Sequence, residues 1–425
     1  MTTNVRVTFG DVEFSGTDIR EAIVTEEFNP LSITLPISTL NLLLYSEDAD
    51  FSILNPAGDY EDLKYRAPLA VYASINGVEK FIGQYFLKSW ENKSETLIRF
   101  QCMDSMGVLN SLTTYLGGIW LTPITMGELI DTILGEAGVS YDLDPNLTDV
   151  ELTGWIPVCT YREALQQVLI AGGGYAICAR QLGGIKIGTI LALGVTTKGI
   201  ITGVGRTGQS RNWKKRWRPS QWEGVVGTIS IPRSEQGANT KPILRPLITG
   251  VDVEAHDITE GTGTRKLFDG ELAIGVHDII FSQPMHTLSV SGAIISASGA
   301  NYAELTVASA GAVTLDGSVY DDTVTVFSHG TPPTPPQTEN RLRLENGSLV
   351  NSANAATIAE LVYNYYAGRY KQSAKLIKPL AKIGDPVLIE TLYDREINGI
   401  VEKMVVNLAG GYLAQTDVIG SVEPL

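Results

Sequence analysis

Three cysteines, four histidines and 47 acidic residues are the groups in this 425-residue chain that could carry covalent, metal or acid–base chemistry. A thiol nucleophile needs a histidine near enough in space to take its proton. Cys102, Cys159 and Cys178 each sit in an apolar segment, as small buried hydrophobes do, and none has C-x-x-C spacing. His256, His277, His286 and His329 are scattered, with no H-E-x-x-H pair to grip zinc. Hydrolysis of a sugar polymer needs two carboxylates placed across a cleft. The acidic run Glu47, Asp48 and Asp50 lies in a polar, turn-like segment and reads as a solvated turn. Gly203 to Gly208 (GVGRTG) has the glycines of a phosphate loop, but it lacks the G-K-[ST] ending and no helical pattern follows. The expectation is a protein with no catalytic residues, no cofactor and no metal.

The sharpest local feature is basic and aromatic: Arg211, Trp213, Lys214, Lys215, Arg216, Trp217 and Arg218, with Arg206 before it and Trp222 after it. Arginine and tryptophan together can stack on bases or bind an acidic protein surface. They can equally form a loop whose tryptophans tuck against their own domain. The chain has 32 basic and 47 acidic residues, a net charge of −15, so a neighbouring acidic subunit is the expected contact. The same balance argues against sequence-nonspecific nucleic-acid binding, which needs a basic face. It is compatible with a surface that repels DNA or stays soluble at high local concentration.

The length allows two to four domains, at about 100–200 residues each. With 44% hydrophobic and 19% charged residues the chain can build large cores. No run of 18 or more apolar residues exists, so no spanning helix is expected. The start, MTTNVRVTFGDVEF, lacks a basic-then-apolar layout, so export by a signal peptide is not expected.

Residues 5–14 and 18–28 are β-rich, and residues 32–40 alternate as a third strand interrupted at Pro36. Residues 69–75, the Asn76-Gly77 turn and residues 80–90 form a hairpin signal, with the next strand at 96–102. The period then changes. Residues 125–137 (TMGELIDTILGEA) place Met126, Leu129, Ile130, Ile133 and Leu134 on one helical face. Thr125 with Glu128 forms a capping box and Gly138 a stop. Residues 160–171 (TYREALQQVLIA) repeat the device with Thr160, Glu163 and three glycines. Residues 251–327 are strand-like, and TPPTPP at 331–336 can join neither a ladder nor a helix interior. Residues 354–370 (NAATIAELVYNYYAGRY) read as one amphipathic helix with Ile358, Leu361, Val362, Tyr365 and Tyr366 inward.

The segment after that helix echoes one near the N-terminus. Each copy begins at a proline before an apolar strand, Pro68 or Pro386. Each turns, restarts at a glycine, Gly83 or Gly399, runs a long alternating strand and returns. The proline-to-glycine spacing is fifteen residues in one copy and thirteen in the other, and the glycines could mark bulges that bend a strand into a barrel wall. Three chains with two such units each would make a ring of six, able to mate with a sixfold partner.

The ordered set GQYFLKSW (83–90), FQCMDSMGVL (100–109), GWIPVCTYREALQQVLIA (154–171), residues 348–369 with 384–390, and residues 399–414 resembles the baseplate hub family of tailed phages and contractile injection particles. The resemblance implies a mainly β fold with α+β parts: two similar tube-type β-barrels, a small α/β domain, and an inserted β-rich domain with one long helix. The expected divisions are 1–103, 104–190, a discontinuous second barrel at 191–252 and 371–425, and 253–370. It further implies a homotrimer forming a pseudo-hexameric ring. That ring would join a sixfold tail tube or distal ring to a threefold tip or spike, and would line a channel for a tape-measure protein or DNA in transit. The implied location is the virion tail, assembled in the bacterial host cytoplasm. The alternatives are a tail-associated peptidoglycan hydrolase and a carbohydrate-binding tail-tip protein.

Overall fold

The computed structural model describes residues 4–31, 35–52, 54–55, 58, 63–75, 77–178, 184–190, 228–237, 240–335, 338–377, 381–391 and 395–424. The fold is mainly β. The chain builds the same β-unit twice, the second copy of it from two separated stretches. The first comprises the strands Val12–Ser15, Ile19–Glu27, Thr39–Tyr45, Pro68–Ile75, Val78–Asn92 and Leu97–Met103, with a 3-10 turn at Gly16–Asp18. The second comprises Ile229–Ile231, a 3-10 turn at Arg233–Glu235, and Lys241–Leu244, then Tyr370–Ile377, Pro386–Glu390, Arg395–Asn407 and Leu413–Pro424.

Hydrogen-bond registers show the equivalence. Pro68 faces Phe86, and Pro386 faces Ile400. Two residues further on, each long strand carries a bulged residue: Lys88 opposite the Cys102–Gln101 step and Glu402 opposite the Val418–Asp417 step. Ile19 faces Leu44, and Gln236 bridges Leu376 in the matching place. In each unit the strand that bends at the 3-10 turn thus brings the hydrogen-bonded path back on itself. Alternation in Thr39–Tyr45 buries Leu40, Leu42 and Leu44, and Gln372, Ala374 and Leu376 take those places in Tyr370–Ile377.

Two details differ from the sequence reading. Gly83 and Gly399 are not equivalent. Gly399 faces Val387, one residue past Pro386, inside an unbroken ladder; Gly83 faces Val71, three past Pro68, beside a bulge at Ile82. The turns before the two glycines differ in length, so a glycine that follows a turn falls at a different ladder position in each unit. The third strand begins at Thr39, beyond Pro36, which has no N–H to donate to a ladder.

Among the described residues the units also differ by one strand. Val5–Phe9 lies between Val12–Ser15 and Pro68–Ile75, antiparallel to both. In the second unit Ile229–Ile231 pairs directly with Pro386–Glu390 and is parallel to it. Two antiparallel steps leave the outer strands parallel, so removing the middle strand preserves the direction of the others. The two units share one core, to which Val7, Leu42 and Phe100 contribute from one and Val387, Met404 and Val418 from the other.

Residues 105–190 carry the helices Met126–Ala137 and Tyr161–Gly172. Both predicted capping boxes form, and Gly138 and Gly173 close the helices in the left-handed conformation. The helix predicted over 354–370 spans Ala355–Ala367, and its Ile358 and Val362 join Leu129, Ile133 and Leu165 in a second core. Between Leu244 and Tyr370 the chain also runs a long ribbon, Gly250–Leu272 against Gly311–Gly330, with a small core of its own around Met285, Leu305 and Leu315.

Candidate functional site

Burial shifts all three thiols upward, Cys178 beside the Asp104 carboxyl among them. Cys102 is buried, and burial pushes its thiol far above the usual range. Burial and the Glu163 carboxylate push Cys159 up to about 12. Thiols so shifted are poor nucleophiles. His256 Nδ1 lies 2.8 Å from Asp322, and His286 Nε2 lies 3.1 Å from the Val319 carbonyl. Asp50 accepts from Ser46 Oγ at 2.6 Å within its turn. A cavity of about 200 Å³ is lined by Gln167, Arg343 and Glu345 among others, without the second carboxylate that glycoside hydrolysis needs. Among the described residues no three His, Cys, Asp or Glu side chains group as a metal site, and no helix is long and apolar enough to cross a membrane. Arg211, Trp213, Lys214, Lys215, Arg216, Trp217 and Arg218 lie outside the described residues, as does the GVGRTG segment.

The feature with functional geometry is the joint between the repeated units. Ile19–Glu27 of the first runs antiparallel along the last five residues of Arg395–Asn407 of the second, from Lys403 opposite Glu27 to Asn407 opposite Ile23. The Phe28 N–H donates to the Glu402 carbonyl at 2.7 Å, and the Leu408 N–H to the Ala22 carbonyl at 2.9 Å. Lys403 and Glu27 pair across the strands. The bulged Glu402 turns its carboxylate to Arg245 and to Lys371, the latter at 3.2 Å, and Lys371 also reaches Asp417 at 2.9 Å. Burial alone would lower the Lys371 pKa, but the bond to Asp417 and the field of Glu402 outweigh it and raise it.

Two edges echo this joint and carry no further strand among the described residues. Past the Lys88 bulge, Val78–Asn92 pairs Leu97–Met103 on one side, and among the described residues no strand lies on the other. Lys241–Leu244 pairs Tyr370–Ile377 on one side only among the described residues. All four of its residues are exposed, with Ile243 at 47% and Leu244 at 56%. Such an edge is a template for another strand. Sequence reasoning missed both; Pro242, inside the short strand Lys241–Leu244, and Pro246, just past its end, are the signal that marks that edge.

No family model matches the chain, and no curated protein matches it in sequence. Solved structures do match along its whole length. The 43 kDa tail protein of prophage MuSo2 from Shewanella oneidensis is similar with a TM-score of 0.52 at 10% identity, over 98% of each chain. A tail protein from Neisseria meningitidis MC58 is similar with a TM-score of 0.54 at 9% identity, over 99% of this chain and 97% of that one. The resemblance seen in the order of sequence segments is met at the level of fold: the chain has the fold of phage tail proteins.

Proposed function

We propose that the chain is a structural tail protein, a baseplate or tail-tip hub and not an enzyme. In this reading it forms a homotrimer whose six β-units make a pseudo-hexameric ring between a sixfold tail tube or distal ring and a threefold tip or spike. The ring lines a channel for a tape-measure protein or for DNA in transit. The protein resides in the virion tail and is assembled in the host cytoplasm. The observation that carries this is the repeated β-unit with matching register; the fold shared with tail proteins of full length supports it. Two similar units per chain let three chains present six similar surfaces to a sixfold partner. The unit divisions we propose are 1–103, 104–190, 191–252 with 371–425, and 253–370. The basic and aromatic stretch from Arg211 to Arg218 is proposed as a contact with a neighbouring subunit or tail protein.

Light scattering of the purified chain, alone and with tube subunits, tests the reading. Three chain masses are expected, and a persistent monomer at micromolar concentration overturns it. Clearing of purified peptidoglycan by the chain would overturn the non-enzymatic part.

A further inference from the structure

We propose that these two edges, which carry no further strand among the described residues, join one copy of the chain to the next. The outer edge of Lys241–Leu244 in one copy pairs antiparallel with residues 89–93 of a second copy. The pairing deepens the ring reading above and rests on it for the number of copies at which the ring closes.

Register carries the argument. Thr25 faces Thr39, which faces Met103; Ile243 faces Lys371, which faces Ile419. Met103 and Ile419 are equivalent, since they face Phe86 and Ile400, the partners of Pro68 and Pro386. Lys241–Leu244 is therefore the second unit's version of Ile19–Glu27. By the same count Ser89, just past the Lys88 bulge, corresponds to Lys403, so residues 89–93 match 403–407. Each chain makes the joint once internally and carries both halves of a second, on different units. Halves on different surfaces give a head-to-tail contact, the kind that closes into rings.

The transferred register sets Trp90 opposite Leu244 and Glu91 opposite Ile243, where the chain itself sets Met404 opposite Glu26 and Val405 opposite Thr25. Backbone directions agree. The Arg245 N–H donates to the Arg369 carbonyl at 2.8 Å, so by alternation Ile243 bonds inward and Leu244 outward. The Lys93 N–H donates to the Leu97 carbonyl at 2.8 Å, so Trp90 and Asn92 also bond outward. Leu244 and Trp90 can exchange both bonds. Pro242 can accept from Asn92 but cannot donate. Pro246 stands where Phe28 donates to Glu402, and it too lacks an N–H. Prolines blunt an edge against indiscriminate pairing. The joint between copies thus depends on the Leu244–Trp90 exchange and on the apolar side chains of Ile243 and Leu244.

The test is the full-length double variant Glu91→Cys with Ile243→Cys, each single variant serving as control. The pair is of the non-hydrogen-bonded type, with Cα atoms about 4.5 Å apart, inside the disulfide range. Mild oxidation is expected to give covalent dimers and trimers from the double variant only. A ladder beyond trimer supports the pairing and overturns closure at three. A trimer by light scattering that does not cross-link overturns the pairing and leaves the ring reading standing. A monomer overturns both. Leu244→Pro removes the outward N–H at an exposed position. It is expected to weaken self-association by about tenfold or more with the far-ultraviolet circular dichroism unchanged; unchanged association overturns the pairing.

Discussion

Arg66 and Gly384 occupy the same backbone position in the two repeated units. Their φ angles are 67° and 77°, in the left-handed region. Each donates its N–H to the residue just before the bulge, Arg66 to the Leu87 carbonyl at 2.7 Å and Gly384 to the Val401 carbonyl at 2.9 Å. The Leu87 and Val401 N–H groups bond back to Ala67 and Asp385 at 2.9 and 3.1 Å. Backbone geometry is thus retained in both units at a position where only one of them has the residue that adopts it freely.

That relationship predicts an asymmetry. A Cβ on Gly384 would meet the Phe28 ring at 3.6 Å, an ordinary contact, so Gly384→Ala adds the left-handed backbone strain, about 1–2 kcal/mol, less the freedom the unfolded chain loses, about 0.4–1 kcal/mol. Arg66→Gly runs the same two terms in reverse, relieving the strain and freeing the unfolded chain. Urea midpoints of the two variants should therefore differ in sign, with Gly384→Ala below the parent and Arg66→Gly at or slightly above it.

Gly399 and Gly420 face each other across the second unit's central strands. A Cβ on Gly399 would lie 2.0 Å from the Ile419 carbonyl oxygen, and one on Gly420 would lie 2.0 Å from the Asn398 oxygen. Backbone cannot yield there without opening the ladder. Either alanine variant should lose about 3 kcal/mol or more, in the range of severe overpacking and broken pairing. Gly411→Ala is the control: its φ is 91° but nothing lies within 4 Å of the added methyl, so a loss of about 1 kcal/mol is expected. Equal denaturation midpoints for the three variants would contradict the steric account.

What was legible from sequence follows from how local each signal is. Thr125 with Glu128 and Thr160 with Glu163 are separated by three residues, so the bonds they make depend on little beyond the helix itself. The inward face of Ala355–Ala367 was readable for the same reason. Pairing register is not local. Gly83 and Gly399 looked equivalent because both follow a turn, yet turn length, which the ladder does not conserve, set their spacing. The free edges at Trp90 and Leu244 depend on which strands lie beside them after folding, and residues about 150 apart in sequence decide that.

Acid should loosen the base of the long ribbon. The Arg341 guanidinium, bonded to Asp252 at 2.8 Å through Nε, holds the Asp252 carboxyl at about 2, with Ser328 and Arg343 adding to the effect against burial. A carboxylate depressed by folding contributes stability above its unfolded pKa of about 3.9. As pH falls from about 4 towards 2 the unfolded chain takes up the proton first, and the contribution is lost. Asp252→Asn should therefore be less stable than the parent at pH 6, with the difference shrinking by pH 2. A difference that stays constant over that range would mean the charge does not act through this pair.

Asn301 ties the segment between Leu244 and Tyr370 to the α/β part of the chain. It is fully buried; its side-chain amide donates to the Leu116 carbonyl at 3.0 Å and the Ile156 carbonyl at 3.2 Å, and its oxygen accepts from Trp155 Nε1 at 3.0 Å. Asn301→Ala leaves all three groups without this partner, and each buried group so left costs about 1–3 kcal/mol. Asn301→Asp keeps the size and the Trp155 bond but sets an oxygen against two carbonyl oxygens, so it should be at least as damaging. Loss of this tie should act locally before it acts globally. Limited proteolysis should then cut within 281–301 faster in both variants, while amide protection in Arg395–Asn407 stays close to that of the parent. Equal loss of protection in both places would show that Asn301 supports the whole chain and not this contact.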